Sequence, residues 1–242
     1  VPILFTQANY AQSGLFTGSG TLSCAYTNPN FKGNIGIVWT SGPLASGDSI
    51  PGTLTDTCGN AWFLVNAIKS NLGCESLWVC PSLIGGINTV TTSVLTFAPS
   101  GEPTLVVLEY QPSGCYPCNI GFQGFNPNYQ GDYHGPFTVL NSQYIASRKP
   151  WFHTLIATIY DEYNSAEATA RTWTMTPNVE RISFGLRLQF AAPVGYNSGA
   201  VADCTVPYPY TNNSVEFDPS PSSPALPTGG TKLLGILIST SS

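Results

Sequence analysis

The 242-residue chain is long enough to bury a substantial core, and β-sandwiches of this size commonly form a single domain. Only 9% of its residues are charged while 42% are hydrophobic, which excludes a disordered chain. Eight Lys plus Arg against thirteen Asp plus Glu, a net charge of −5, excludes the basic footprint that nucleic acid or an anionic membrane needs.

From the N-terminus onward, short β-branched and aromatic runs alternate with Gly, Pro, Asn and Asp clusters, the rhythm of an all-β sandwich. Strands are predicted at Ile3–Ala8, Thr21–Tyr26, Asn34–Thr40, Ala61–Ile68, Ser76–Cys80, Asn88–Phe97, Thr104–Tyr110, Phe152–Tyr160, Arg181–Phe190 and Lys232–Thr240. In Asn88–Phe97, Thr and Ser alternate with Val and Leu, so one face is expected to be wet. Leu105–Leu108 is apolar at every position, as suits a strand buried on both faces. The one helical candidate is Asp161–Thr172, a short surface helix without an apolar stripe. Gln111–Phe137 reads as a long Gly- and aromatic-rich loop. The expected organisation is one sandwich over residues 1–217, a Pro-rich linker over 218–230 and a last strand over 231–242. No self-similarity appears at a solenoid period.

Seven cysteines fit an oxidising compartment. Cys74–Cys80 and Cys115–Cys118 are the locally feasible disulfides and Cys24–Cys58 a longer one; the sequence does not fix the connectivity, and the odd count leaves at least one thiol free or paired between molecules. A start at Val1 fits removal of an export leader, and no apolar run approaches the roughly 20 residues of a membrane span. An extracellular or cell-surface protein is expected.

Four short motifs stand in order in the first half: Gly33-Asn34-Ile35-Gly36-Ile37-Val38-Trp39, Asp56-Thr57-Cys58-Gly59-Asn60, Gly85-Gly86-Ile87-Asn88-Thr89-Val90-Thr91 and Val106-Val107-Leu108-Glu109-Tyr110. Over about residues 33–110 the chain resembles a family of secreted bacterial β-sandwich surface modules, largely uncharacterised. The resemblance implies a jelly-roll-like sandwich and export, and no activity.

Candidates for chemistry are few. Glycosidase chemistry needs two carboxylates about 5–10 Å apart, and Glu109, Asp161 and Glu162 are the acids beside strand cores; the plainer account of Glu109 is a strand end accepting hydrogen bonds. His134 and His153 have no nucleophile elbow or HExxH partner in the chain. Asp56-Thr57-Cys58-Gly59-Asn60 offers oxygens suited to calcium, but the same residues make an ordinary tight turn. Asn212-Asn213-Ser214 is a glycosylation sequon. Neither a cofactor nor a metal site is expected, and the chain is not expected to be an enzyme.

Two features point to partners. Tyr116, Phe122, Phe125, Tyr129 and Tyr133 crowd the long loop, where rings pack on one another, on a protein or on a glycan. The last strand is apolar on both faces through Leu233, Leu234, Ile236, Leu237 and Ile238. Its tether of about twelve residues spans about 35–40 Å at 3.1 Å each, so it completes its own sandwich or is donated to a neighbour. The expected function is a structural or adhesive surface protein, a self-assembling filament or matrix subunit, with a carbohydrate-binding module as the alternative.

Overall fold

The computed structural model describes residues 3–13, 18–42, 53–69, 74–97, 103–112, 119–125, 137–141, 152–162, 172–177, 183–191, 197–207, 213–220 and 231–241. These hold sixteen strands and no helix, and they fall into two compact units, one of Phe5–Gln111 and one of Pro112–Ser242 with the first four residues. The single sandwich expected over 1–217 is therefore two.

The first unit is built from β1 (Ile3–Gln12), β2 (Gly18–Ala25), β3 (Ile35–Gly42), β4 (Leu54–Asp56), β5 (Phe63–Lys69), β6 (Cys74–Cys80), β7 (Thr89–Phe97) and β8 (Thr104–Pro112). They form two antiparallel sheets in the orders β1-β8-β3-β6-β5 and β2-β7-β4. Because side chains alternate across a strand, Val38, Trp78, Leu105 and Val107 of the larger sheet share one core with Cys24 and Val90 of the smaller and with Tyr26 just beyond β2. The apolar run Leu105–Leu108 is buried at every position, as its composition implies. β7 alternates as its pattern requires, with Val90 and Thr92 buried between less buried Thr89, Thr91 and Ser93. On that wetter face hydroxyls pair across strands, Ser23 with Thr91 at 2.8 Å and Thr53 with Ser93 at 2.8 Å.

The second unit comprises β9 (Asn119–Phe125), β10 (Phe137–Asn141), β11 (Phe152–Glu162), β12 (Thr172–Pro177), β13 (Ser183–Ala191), β14 (Asn197–Pro207), β15 (Asn213–Ser220) and β16 (Thr231–Ser241). Its sheets run β9-β16-β11-β14-β13 and β10-β15-β12. Counted from each unit's first strand, both units have the order 1-8-3-6-5 over 2-7-4, so the chain is two jelly rolls of the same topology in tandem. A shared irregularity fixes their correspondence. The fifth strand of each bulges against the sixth, between Leu64 and Asn66 opposite Trp78 and Leu77, and between Leu186 and Leu188 opposite Ala202 and Val201. Trp78 thus corresponds to Ala202, and Cys80 to Cys204. The second core gathers Leu155, Ala157, Ile159, Ala200, Ala202, Cys204, Leu233 and Leu237 around Phe217. At its bulge Arg187 makes a bidentate ion pair with buried Asp203, 2.7 Å at each contact.

Several expectations change. Within the chain, β16 lies between β11 and β9 of its own unit, with Leu237 opposite Leu155 and Gln123, and Leu233, Leu234, Ile236, Leu237 and Ile238 are all buried there. The Pro-rich segment starts later than expected, because Asp218–Ser220 complete β15. Part of the long loop is strand β9, which carries Phe122 and Phe125. The proposed helix Asp161–Thr172 begins in β11 and ends in β12, its middle lying outside the described residues.

The expected disulfides also fail where they are described. Cys24, Cys58, Cys74, Cys80 and Cys204 are thiols. Cys74 and Cys80 close the two ends of one strand, about 20 Å apart at roughly 3.3 Å per residue, whereas a disulfide needs Cα atoms within about 7 Å. Cys24 belongs to the core, where burial pushes its pKa up to about 12. Cys58 instead directs its Sγ to the carbonyls of Gly85 and Ile87, at 3.6 and 3.4 Å. Cys115 and Cys118 lie outside the described residues.

Deleting residues 231–242 removes a strand from inside a sheet and is expected to unfold the second unit. Urea unfolding followed by circular dichroism checks this: the truncated chain should lose one cooperative transition. An unchanged unfolding profile would contradict the placement of β16.

Candidate functional site

The polar centre of the first unit is Glu109, on β8 and fully buried. Its Oε1 accepts from the Phe31 amide at 2.8 Å and from Asn34 Nδ2 at 2.7 Å. Its Oε2 accepts from Asn30 Nδ2 at 2.9 Å and from Gln7 Nε2. Four N–H donors on two oxygens require an acceptor-only carboxylate. Gln7 extends the network, since its Oε1 accepts from the Asn28 amide at 2.8 Å and its Nε2 also donates to the Asn28 carbonyl at 3.1 Å. The loop from β2 to β3 is therefore stitched to β1 and β8 by side chains. Tyr26, where that loop begins, donates to the Leu108 carbonyl at 3.3 Å. Burial first, then the nearby Glu109 charge, raises its pKa well above the ordinary tyrosine value, so it remains a donor.

Asp56 braces the two neighbouring loops. Its Oδ1 accepts from the amides of Cys58 at 3.1 Å and Asn60 at 2.9 Å. Its Oδ2 accepts from Asn60 Nδ2 at 2.7 Å, Trp62 Nε1 at 2.9 Å and Asn88 Nδ2 at 3.2 Å. This is turn chemistry, with Gly59 at φ +75°, and five N–H donors occupy the oxygens that calcium would need. Burial pushes the Asp56 pKa up, but the bonds from Asn60, Asn88 and Trp62 outweigh it and hold it below the ordinary 3.8.

Backbone bonds tie the loops to each other. Asn30 and Gly86 exchange both amide bonds, at 2.8 and 2.9 Å, Gly33 donates to Leu83 and Leu83 to Asn34, and the Ile84 amide donates to Asn60 Oδ1 at 2.8 Å. Gly85 is required by this close approach. Its φ is +93°, and a Cβ there would sit 3.0 Å from the Lys32 nitrogen.

The four sequence motifs thus meet at one end of one sandwich. Asn34 of the first motif binds Glu109 of the fourth, and Asn88 of the third binds Asp56 of the second. Sequence reasoning had singled out both carboxylates and missed their partners Gln7, Asn30 and Trp62. The Asn residues inside the motifs were the available signal, since a buried carboxylate needs donors.

The hydrogen bonds described for this site involve none of the other candidates. Asp161 and Glu162 end β11 in the second unit, and His153 lies on β11 opposite Val206 and Ser239; their side chains are outside the described part. His134, Tyr116, Tyr129, Tyr133 and Asn212 are outside the described residues altogether. Phe122 and Phe125 stand on β9 opposite Ile238 and Gly235. Among the described residues, no group of His, Cys, Asp and Glu is placed to hold a metal, and no helix is long and apolar enough to cross a membrane.

No family model, no curated protein and no solved structure matches the chain.

The depressed pKa of Asp56 makes its contribution to stability pH-dependent. A group whose folded pKa lies below its unfolded value stabilises the fold above the unfolded value, and this is lost as pH falls through the folded one. Asp56→Asn has no such titration. The urea midpoints of wild type and Asp56→Asn should therefore differ at about pH 6 and converge as pH falls below about 4. A gap that is constant across this window would contradict the assignment.

Proposed function

We propose that this chain is a structural or adhesive protein of the cell surface or extracellular space, one that acts by contact and self-assembly rather than by turnover. The observation that carries this reading is the use made of its two central carboxylates. Glu109 and Asp56 accept nine hydrogen bonds between them, all from the chain itself. A catalytic acid or base must exchange its proton with a substrate within hydrogen-bond reach; these two instead hold loops in place. Rigid loops on a sandwich suit a surface that must keep its shape when it is bound.

Composition supports the same reading. With 9% charged residues, repulsion between copies is weak, and few charges remain to guard exposed strand edges. The surface location rests on the resemblance over residues 33–110, since the described cysteines are thiols. A carbohydrate-binding module is the second reading, and two of the five rings that suggest it, Phe122 and Phe125, stand on strand β9.

Electron microscopy and light scattering of the purified full-length protein test the reading, alongside a glycan array. The expected result is ordered, concentration-dependent assembly without glycan capture. A stable monomer that captures a glycan, or a hydrolase activity that vanishes in a folded Glu109→Gln variant, would overturn it.

A further inference from the structure

Buried hydroxyls that oppose each other across strands can bond directly in this chain. Thr40 lies 2.5 Å from Ser76 and Thr154 lies 2.9 Å from Thr205, each pair directly opposed in its sheet. Ser41 and Thr104 do not follow this pattern. They are directly opposed on β3 and β8 and only 4% and 1% exposed. Yet neither Ser41 Oγ nor Thr104 Oγ1 has a hydrogen-bond partner among the described residues.

Both belong to a polar row across the larger sheet of the first unit. Ser41 is also directly opposite Glu75 of β6, which is fully buried and accepts from Trp39 Nε1 at 3.0 Å. Directly opposed residues point to the same face, with Cβ atoms about 4.5–5.5 Å apart. Thr104, Ser41 and Glu75 therefore stand side by side, with Ser41 in the middle. The topology does not impose this row. Leu155 of the second unit pairs with Cys204 and Leu237 as Gly36 of the first pairs with Cys80 and Glu109. Tyr160 thus stands where the first unit has Ser41, opposite Gly199 and Lys232. The same strand order forms there without either hydroxyl and without the carboxylate.

The inventory of donors and acceptors selects a ligand for the row. Each hydroxyl carries one proton and two lone pairs, and a buried hydroxyl proton needs an acceptor. A metal ion or an ammonium group has no lone pair to offer and would leave both protons unused. A water molecule accepts from Ser41 with one lone pair and from Thr104 with the other. Its own protons then suit Glu75, whose carboxylate has about four acceptor sites, more than the Trp39 bond alone takes up. Three protein partners are the usual complement of a buried water.

We propose that Thr104, Ser41 and Glu75 hold one internal water molecule that bridges β8, β3 and β6. Such a bridge binds nearly as well as direct hydrogen bonds. The two ends of β8 then differ in how their polar groups are satisfied. Near its C-terminal end Glu109 is bonded by the chain's own N–H groups; at its N-terminal end the row is completed by solvent held inside the protein.

High-resolution crystallography of the full chain, together with a double-mutant cycle in urea, tests the site. The expected result is one ordered water within about 3.2 Å of Ser41 Oγ, Thr104 Oγ1 and a Glu75 oxygen. Ser41 bonded directly to Thr104 or Glu75 would overturn the proposal. So would an ion at about 2.3–2.6 Å from these oxygens, which would make the ligand a cation. In solution, Ser41→Ala and Thr104→Val should each lower the urea midpoint. The double variant should lower it by less than the sum, because the water that both hydroxyls hold is lost only once. Strictly additive shifts would contradict a shared water. Should the double variant fail to fold, the crystallographic result alone decides.

Discussion

Burying a carboxylate is unfavourable unless hydrogen bonds replace the water it loses, and the first jelly roll is organised around meeting that demand at Glu109. The donors come from β1, from the loop before β3 and from the start of β3's own approach, so one side chain on β8 fixes segments far apart in sequence. Hydrogen bonds to a charged acceptor contribute roughly 1.5–3 kcal/mol each, and losing a partner leaves a buried group unsatisfied. The arrangement is therefore cooperative: the loop cannot leave without breaking three of these bonds together. Asp56 does the same for the loops before β5 and β7, and the Asn30–Gly86 and Asn60–Ile84 bonds join the two braces into one rigid end.

The second jelly roll shows that a carboxylate at the Glu109 position is an addition to the fold rather than a condition of it. The same strand order forms around Leu155, Leu237 and Phe217, with small residues such as Ala157, Ala200 and Ala202 beside the large ring. Its bulged edge strand is tied by Arg187 to Asp203, an inward-pointing charge of the kind that discourages edge-to-edge pairing. In the first unit Val65 occupies the corresponding place on β5, beside exposed Phe63 and Leu64.

The first unit was far more legible in the sequence than the second. All ten predicted strands exist, because Val, Ile, Leu, Trp and Thr runs bounded by Gly and Asn leave little alternative. Five of the six missed strands are in the second unit. β14, NSGAVADCTVP, is built from small residues with weak strand preference, and β9, NIGFQGF, is interrupted by glycines. The shared strand order was not visible because the corresponding side chains differ: Leu237 stands where the first unit has Glu109, and Ala202 where it has Trp78. Glu109 and Asp56 were recognisable as bonded strand-end and turn residues from their setting. Gln7 was not, since nothing local links a β1 glutamine to an acid about a hundred positions later. The disulfides were misjudged because cysteine count says nothing about geometry, and Cys74 and Cys80 lie along one extended strand.

The claim on which the rest depends is that Glu109 holds the exposed loop end as part of the folded core. Residue-resolved amide hydrogen exchange on wild type and Glu109→Gln measures this directly. In wild type the amides of Asn30, Phe31, Gly33, Leu83 and Gly86 should be protected to the level of β3 and β8. In Glu109→Gln their protection should fall at least about tenfold further than that of the core strands, as expected when a segment opens separately from the whole, while β11, β14 and β16 are unchanged. Loop amides that exchange freely in wild type, or that keep their protection in the variant, would contradict the account.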